Sequence, residues 1–252
     1  MPAMDRDVHP FARLHRLSVV TAAIVFAAVL AVAIGTGSAV AAKTVVLGAA
    51  APATPSCPEA CQAIGKTTGF QTSIGKTQDP FAAPAAGRIV AWSLKLAAPN
   101  EKQMTFFQDF FGGPPQARIA VLKPIKKRIK AGKMVYKLKS QGPVEDLKPF
   151  LGTTTTFTME QPLVVRTGQI VALSVPTWAP AFAVNLGNKT AWRASRKNTK
   201  CNKPDDIKLG TAHQTIGQDR LYGCTYKTAR LLYSATLVQD PTVAPPKKKP
   251  TS

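Results

Sequence analysis

Leu163-Val164-Val165-Arg166-Thr167-Gly168-Gln169-Ile170-Val171-Ala172-Leu173-Ser174-Val175-Pro176 lies within the best ordered stretch of the chain, residues 153–184, and its reading decides the fold. Residues 163–166 form a short apolar run, Thr167-Gly168 has turn chemistry, and residues 169–175 alternate so that Val171, Leu173 and Val175 share one face. This pattern predicts a hairpin with one face buried. Pro176 has no N–H to give a ladder and is expected to end the return strand. Trp178-Ala179-Pro180 then turns a corner into a further strand over residues 181–184. A strand, a corner and another strand suggest a sandwich.

Outward from this stretch the same period recurs. Residues 88–96 alternate, with Val90, Trp92, Leu94 and Leu96 on one side, and residues 228–238 place Leu231, Tyr233, Ala235 and Leu237 together. Strands are expected at 117–122, 134–138 and 222–226, and around 70–73 between two turns, Ile64-Gly65-Lys66-Thr67 and Ile74-Gly75-Lys76-Thr77. Those two Gly-Lys-Thr sites are not phosphate loops. A Walker motif needs a glycine five residues earlier, where Ala60 and Phe70 stand. Phe106, Phe107, Phe110 and Phe111 suit a helical turn closed by Gly112-Gly113-Pro114-Pro115, their rings plugging one end of the core. Residues 143–150 are read as a short turn and 185–218 as mostly loop. Eight to ten short strands with little helix give an all-β fold, an antiparallel jelly-roll-like β-sandwich, as a single domain over residues 57–239.

The start of the chain reads as an export signal. Arg6, Arg13 and Arg16 precede an uncharged run over residues 17–34, followed by Gly35, Gly37, Ser38 and Ala39-Val40-Ala41. This is the layout of a secretory signal peptide over residues 1–42. The alternative is a retained anchor, since 18 residues at 1.5 Å each reach roughly 27 Å. Residues 43–56, rich in Ala, Pro and Thr, read as a spacer, and residues 240–252, with Lys247-Lys248-Lys249, as a disordered tail. The charge is +20, from 33 basic against 13 acidic side chains, which favours an anionic partner. Export makes nucleic acid an unsuitable one and leaves anionic cell-wall polymer or a membrane surface.

Four cysteines in an exported chain read as disulfides. The local pairs Cys57–Cys61 and Cys201–Cys224 are expected; crossed pairing would instead tie the N-terminal segment to the C-terminal loop.

The order Ile89-Val90-Ala91-Trp92, then residues 117–122, then Phe157 with residues 162–173 resembles uncharacterised secreted sandwich proteins of high-GC Gram-positive bacteria. Such proteins resemble carbohydrate-binding jelly rolls in outline. The resemblance covers about half the chain on structural motifs and implies fold and export, not an activity. It departs at Gln169, where an Asp is expected after the glycine.

No catalytic constellation emerges. Without residues 1–42 the chain keeps one histidine, His213, in a polar segment with no nucleophile-elbow signature. Glu145-Asp146 and Asp205-Asp206 are adjacent acids, which on an extended chain point apart. No cofactor is implied, and no spaced ligand set for calcium or zinc occurs. A non-enzymatic protein is therefore expected, and two binding modes follow. The first is electrostatic, through the lysine tail and the basic connection carrying Lys123, Lys126, Lys127, Arg128, Lys130, Lys133, Lys137 and Lys139. The second is a carbohydrate-binding module, or more remotely a glycan-acting enzyme, using Trp178 and Trp192 as flat platforms with Asn185, Asn188 and Arg193 at their rims. It requires both tryptophans to be exposed.

Overall fold

Two continuous apolar runs lie side by side in the larger sheet. Residues 119–122 and 170–173 pair antiparallel, Ile119 opposite Leu173 and Leu122 opposite Ile170, and all eight are buried. The computed structural model describes residues 42–131 and 133–241. Its strands are β1 (Thr44–Leu47), β2 (Ile64–Ile74), β3 (Thr77–Gln78), β4 (Gly87–Lys95), β5 (Gln116–Pro124), β6 (Val135–Gln141), β7 (Glu145–Asp146) and β8 (Thr154–Val165). They continue with β9 (Ile170–Ala179), β10 (Phe182–Ala183), β11 (Ala191–Ala194), β12 (Asp219–Leu221), β13 (Cys224–Lys227), β14 (Arg230–Leu231) and β15 (Tyr233–Gln239). The helices are α1 (Glu101–Phe111), α2 (Lys126–Lys130) and α3 (Pro204–Lys208).

The fold is all-β and sandwich-like. A four-stranded sheet runs β1-β15-β4-β8, and a larger, curled sheet runs β12-β6-β5-β9-β2-β11-β13, with β3 and β7 as short additions and β10-β14 as a separate pair. The two large sheets meet through stacked Phe81 and Tyr233, 4.0 Å between ring centres, and the Tyr233 hydroxyl donates to the Val171 carbonyl at 2.9 Å.

The hairpin expected around Thr167-Gly168 does not form. β8 pairs with β4 and β9 pairs with β5 and β2, so the chain crosses between sheets at this turn. Gly168 takes φ +76°, the left-handed conformation a glycine adopts without strain. Gln169 closes the corner, its side-chain oxygen accepting from the Arg166 N–H at 2.8 Å, the work a turn Asp would do. Ala83 fixes the corner from outside, donating to the Gln169 carbonyl and accepting from the Gly168 N–H.

Pro176 also does not end its strand. It lies beyond the last β5 pair, Arg118 with Ser174, and within a register shift against β2 where Lys66 has φ +45°. A bulge needs no donor there, so β9 continues to Ala179. A second bulge, at Val90, reverses the phase of β4, so Ile89 rather than Val90 joins Trp92 and Leu94 inside. The β15 face, by contrast, is as its alternation implies: Leu231, Tyr233, Ala235 and Leu237 are all buried.

The residues read as a spacer belong to the fold. β1 pairs with β15, and the carbonyls of Gly48 and Ala51 accept from the buried Arg230 guanidinium. Of the two Gly-Lys-Thr sites only the second is a turn, because the first lies inside β2. The segment 185–218 contains β11, a strand that its mixed polarity conceals. The phenylalanines lie on α1, capped by Asn100 through a reciprocal box with Gln103. They do not plug the main core: Phe107 and Phe111 form a satellite cluster with Trp178, while Phe106 is exposed. Asp240, read as tail, is tied by its N–H to the Ala86 carbonyl and by an ion pair to Arg88 at 3.3 Å. The export signal, and the tail from residue 242, lie outside the described residues. Among the described residues no helix is long and apolar enough to cross a membrane.

Both disulfides are local, Cys57–Cys61 and Cys201–Cys224. Non-reducing peptide mapping is expected to recover these two pairs, and a peptide joining Cys57 to Cys201 or Cys224 would refute them. Replacing Cys201 and Cys224 together by Ser is expected to lower stability by about 3 kcal/mol, the loop-closure value for a bridge of this span.

Candidate functional site

Two irregularities in the ladders open a groove at the seam between the sheets. In β6, Ser140 faces Val121 and Leu138 faces Leu122, which leaves Lys139 as an extra residue on a bulge. In β8, Leu163 faces Ile89 and Thr158 faces Ala91, so residues 159–162 bow out opposite Val90 alone. A bulge bends its strand and re-aims side chains. Lys139 from one bulge and Gln161 and Pro162 from the other all line the groove. The displaced loop is held by buried Met159, whose terminal methyl packs against Gly142.

The groove has a volume of ≈ 1170 Å³ and is bounded by the end of β5 with the start of α2, by Lys139 and Ser140, and by the β8–β9 corner. Its cations are Lys123, Lys126, Lys139 and Arg166, all exposed, and among the described residues no carboxylate lines it. Pro124, Ile125 and Leu163 are the half-buried apolar members, and Val164 adds a 59% exposed side chain. The Ser140 hydroxyl is buried without a hydrogen-bond partner among the described residues. The neighbouring Lys137 is neutralised by Asp219 at 3.1 Å; among the described residues no groove cation has such a partner. Four uncompensated cations around a concave surface create a positive potential that attracts anions.

Of the basic residues expected to act together, the structure brings Lys123, Lys126 and Lys139 into this groove. Lys127, Arg128 and Lys130 are exposed on α2 outside its lining, and Lys133 follows them. Half-buried Ile129 packs α2 on the core. Arg166 could not be grouped with the lysines from sequence. It lies more than 25 residues from Lys139, and only the sheet-to-sheet corner carries it there.

The sugar platform is overturned. Trp178 has no exposed surface; it packs on Phe107 at 5.0 Å and donates its indole N–H to the Gly113 carbonyl at 3.0 Å. Trp192 is 4% exposed, stacked on Tyr226 at 4.6 Å with Phe182 edge-on. Neither presents a face to a ligand. Arg193 donates to the Tyr222 carbonyl at 3.0 Å, and Asn185 and Asn188 are exposed on the loop before β11, with no aromatic surface to frame.

His213 is equally unavailable for catalysis. It is fully buried, its Nε2 donates to the Gln218 carbonyl at 3.0 Å, and this tautomer leaves Nδ1 to accept from the Tyr222 hydroxyl at 3.1 Å. Its backbone N–H donates to Thr68 Oγ1, which also contacts Ser174 Oγ at 2.8 Å. The network is structural: it seals the segment carrying His213 onto β2 and β9. Burial, reinforced by the positive charge of Arg220, lowers the His213 pKa from 6.5 to about 4. Among the described residues no three His, Cys, Asp or Glu side chains converge as a metal site would require. Comparison of the chain with protein-family models, with curated proteins and with solved structures found no match.

Proposed function

We propose that this protein is a secreted, non-enzymatic component of the cell envelope that binds anionic wall polymers or lipid head groups through the basic β5–β6 connection. The observation that carries this reading is that Lys123, Lys126, Lys139 and Arg166 line one groove that, among the described residues, has no carboxylate in its lining. Two disulfides suit an oxidising compartment. The binding mechanism is charge neutralisation. Cations that line one concave surface act together on a single bound anion, so the groove set should outweigh the lysines outside its lining.

The test is retention on purified cell walls and on anionic vesicles across a salt series. Each cation near an anionic surface contributes about 1 kcal/mol, or roughly fivefold in affinity. Replacing Lys123, Lys126, Lys139 and Arg166 by Ala is expected to reduce retention by about two orders of magnitude or more. The same change at Lys127, Arg128, Lys130 and Lys133 is expected to reduce it less. Retention of the wild type should fall steeply with salt, since exposed charges are screened over about 8 Å at physiological ionic strength. Retention independent of salt, or unaffected by the groove substitutions, would overturn the proposal.

A further inference from the structure

We infer that the groove takes a single amphiphilic anion: one lipid molecule whose phosphate or carboxylate head is held by the rim cations and whose acyl chain lies along the apolar floor. The inference rests on the proposal that the groove binds envelope anions, and it names which of them occupies it. A wall polymer or a membrane surface needs only a charged face. This face is concave, and its apolar members are half-buried Pro124, Ile125 and Leu163, with exposed Val164 beside them.

Three observations favour one molecule over a surface. At ≈ 1170 Å³ the groove exceeds what a typical small-ligand pocket of 300–1,000 Å³ provides, so a head group alone would leave most of it filled with water. Val164 is 59% exposed on β8, an edge strand, where burial of an apolar chain would be favourable. Pro162 and Leu163 continue the apolar lining beside Val164. Charge complementarity assigns the head group: four cations and no carboxylate require an anion, and a neutral lipid would leave them unused.

The experiment is calorimetric titration of the full chain with monomeric alkyl phosphates below their micelle concentrations, from butyl to decyl. Inorganic phosphate and a neutral alkyl maltoside serve as references. Affinity is expected to rise about fourfold for each methylene added until the floor is covered, the value for burial of one CH₂. Val164→Gln should flatten that dependence, and because Val164 is exposed this variant should fold. Lys139→Ala should weaken every member of the series by a similar factor.

Binding of inorganic phosphate and all alkyl phosphates with equal affinity, lost in Lys139→Ala, would overturn the lipid inference while leaving the envelope-anion proposal intact. Equal affinity for alkyl maltoside and alkyl phosphate would overturn both. Absence of alkyl phosphate binding, with retention on cell walls still dependent on the groove cations, would assign the groove to the polymer and refute the lipid.

Discussion

Trp178→Ala is expected to destabilise the protein by about 4 kcal/mol, the usual cost of removing a fully buried tryptophan. Three physical effects combine at this side chain. The indole has no exposed surface, it closes a satellite cluster with Phe107 and Phe111, and its N–H satisfies the Gly113 carbonyl at 3.0 Å. An 11-residue helix is marginal in isolation, so α1 depends on this contact to stay in place. The helix comes close to β2 because Gly65 has no side chain; a Cβ there would collide with the Phe111 ring. The measurement is urea unfolding, with amide exchange across α1. Trp178→Phe keeps much of the packing but loses the hydrogen bond, so a cost of about 1–2 kcal/mol is expected. A loss below 1 kcal/mol for the alanine variant would show that the ring is not buried as described.

Stability is also expected to decline by about 3 kcal/mol between pH 7 and pH 4 through His213 alone. The folded state binds a proton at His213 only near pH 4, whereas the unfolded chain binds it near pH 6.5. Below pH 6.5 the unfolded state therefore holds more protons and gains population, and the effect levels off once the pH passes below about 4. Burial is the main cause, the nearby Arg220 charge the second. A protonated Nδ1 would also meet the Tyr222 hydroxyl now donating to it. Denaturant midpoints from pH 7.5 to 4 for the wild type and His213→Gln test this. The variant should be less stable at pH 7.5, because it breaks the network, and should lose clearly less stability on acidification. Parallel curves for the two proteins would refute the assignment.

The elements legible in the sequence are those whose burial is decided within a few residues. β15 shows its face because an antiparallel strand between two neighbours buries every second side chain, and nothing interrupts Tyr233, Ala235 and Leu237. β4 was legible as a strand, yet its inward face was misread at Val90, since a bulge shifts the phase without altering the composition. The crossed-sheet turn at residues 166–169 was read as a hairpin because its local chemistry is the same whether the flanking strands pair with each other or with others. What separates the two is the pairing of β8 with β4 and of β9 with β5 and β2, all distant in sequence.

The candidate site divides in the same way. Its charge was visible, since Lys123, Lys126 and Lys139 lie in an obviously basic connection. Its shape was not. The groove exists because Lys139 is extruded by one bulge, residues 159–162 by another, and Arg166 is carried across by the turn between sheets. The tryptophans fail as a platform for the converse reason: aromatic identity is local, whereas exposure depends on Phe107 and Tyr226, brought from other elements.

By itself the sequence determined the all-β class, the two local disulfides and the excess of positive charge, because alternation, cysteine spacing and composition act over short range or over none. Only the tertiary structure decided which strands share a sheet, which faces are inward and which four of the many cations converge. Those outcomes follow from pairing free energies between segments up to nearly two hundred residues apart, such as β1 with β15, which no local window contains.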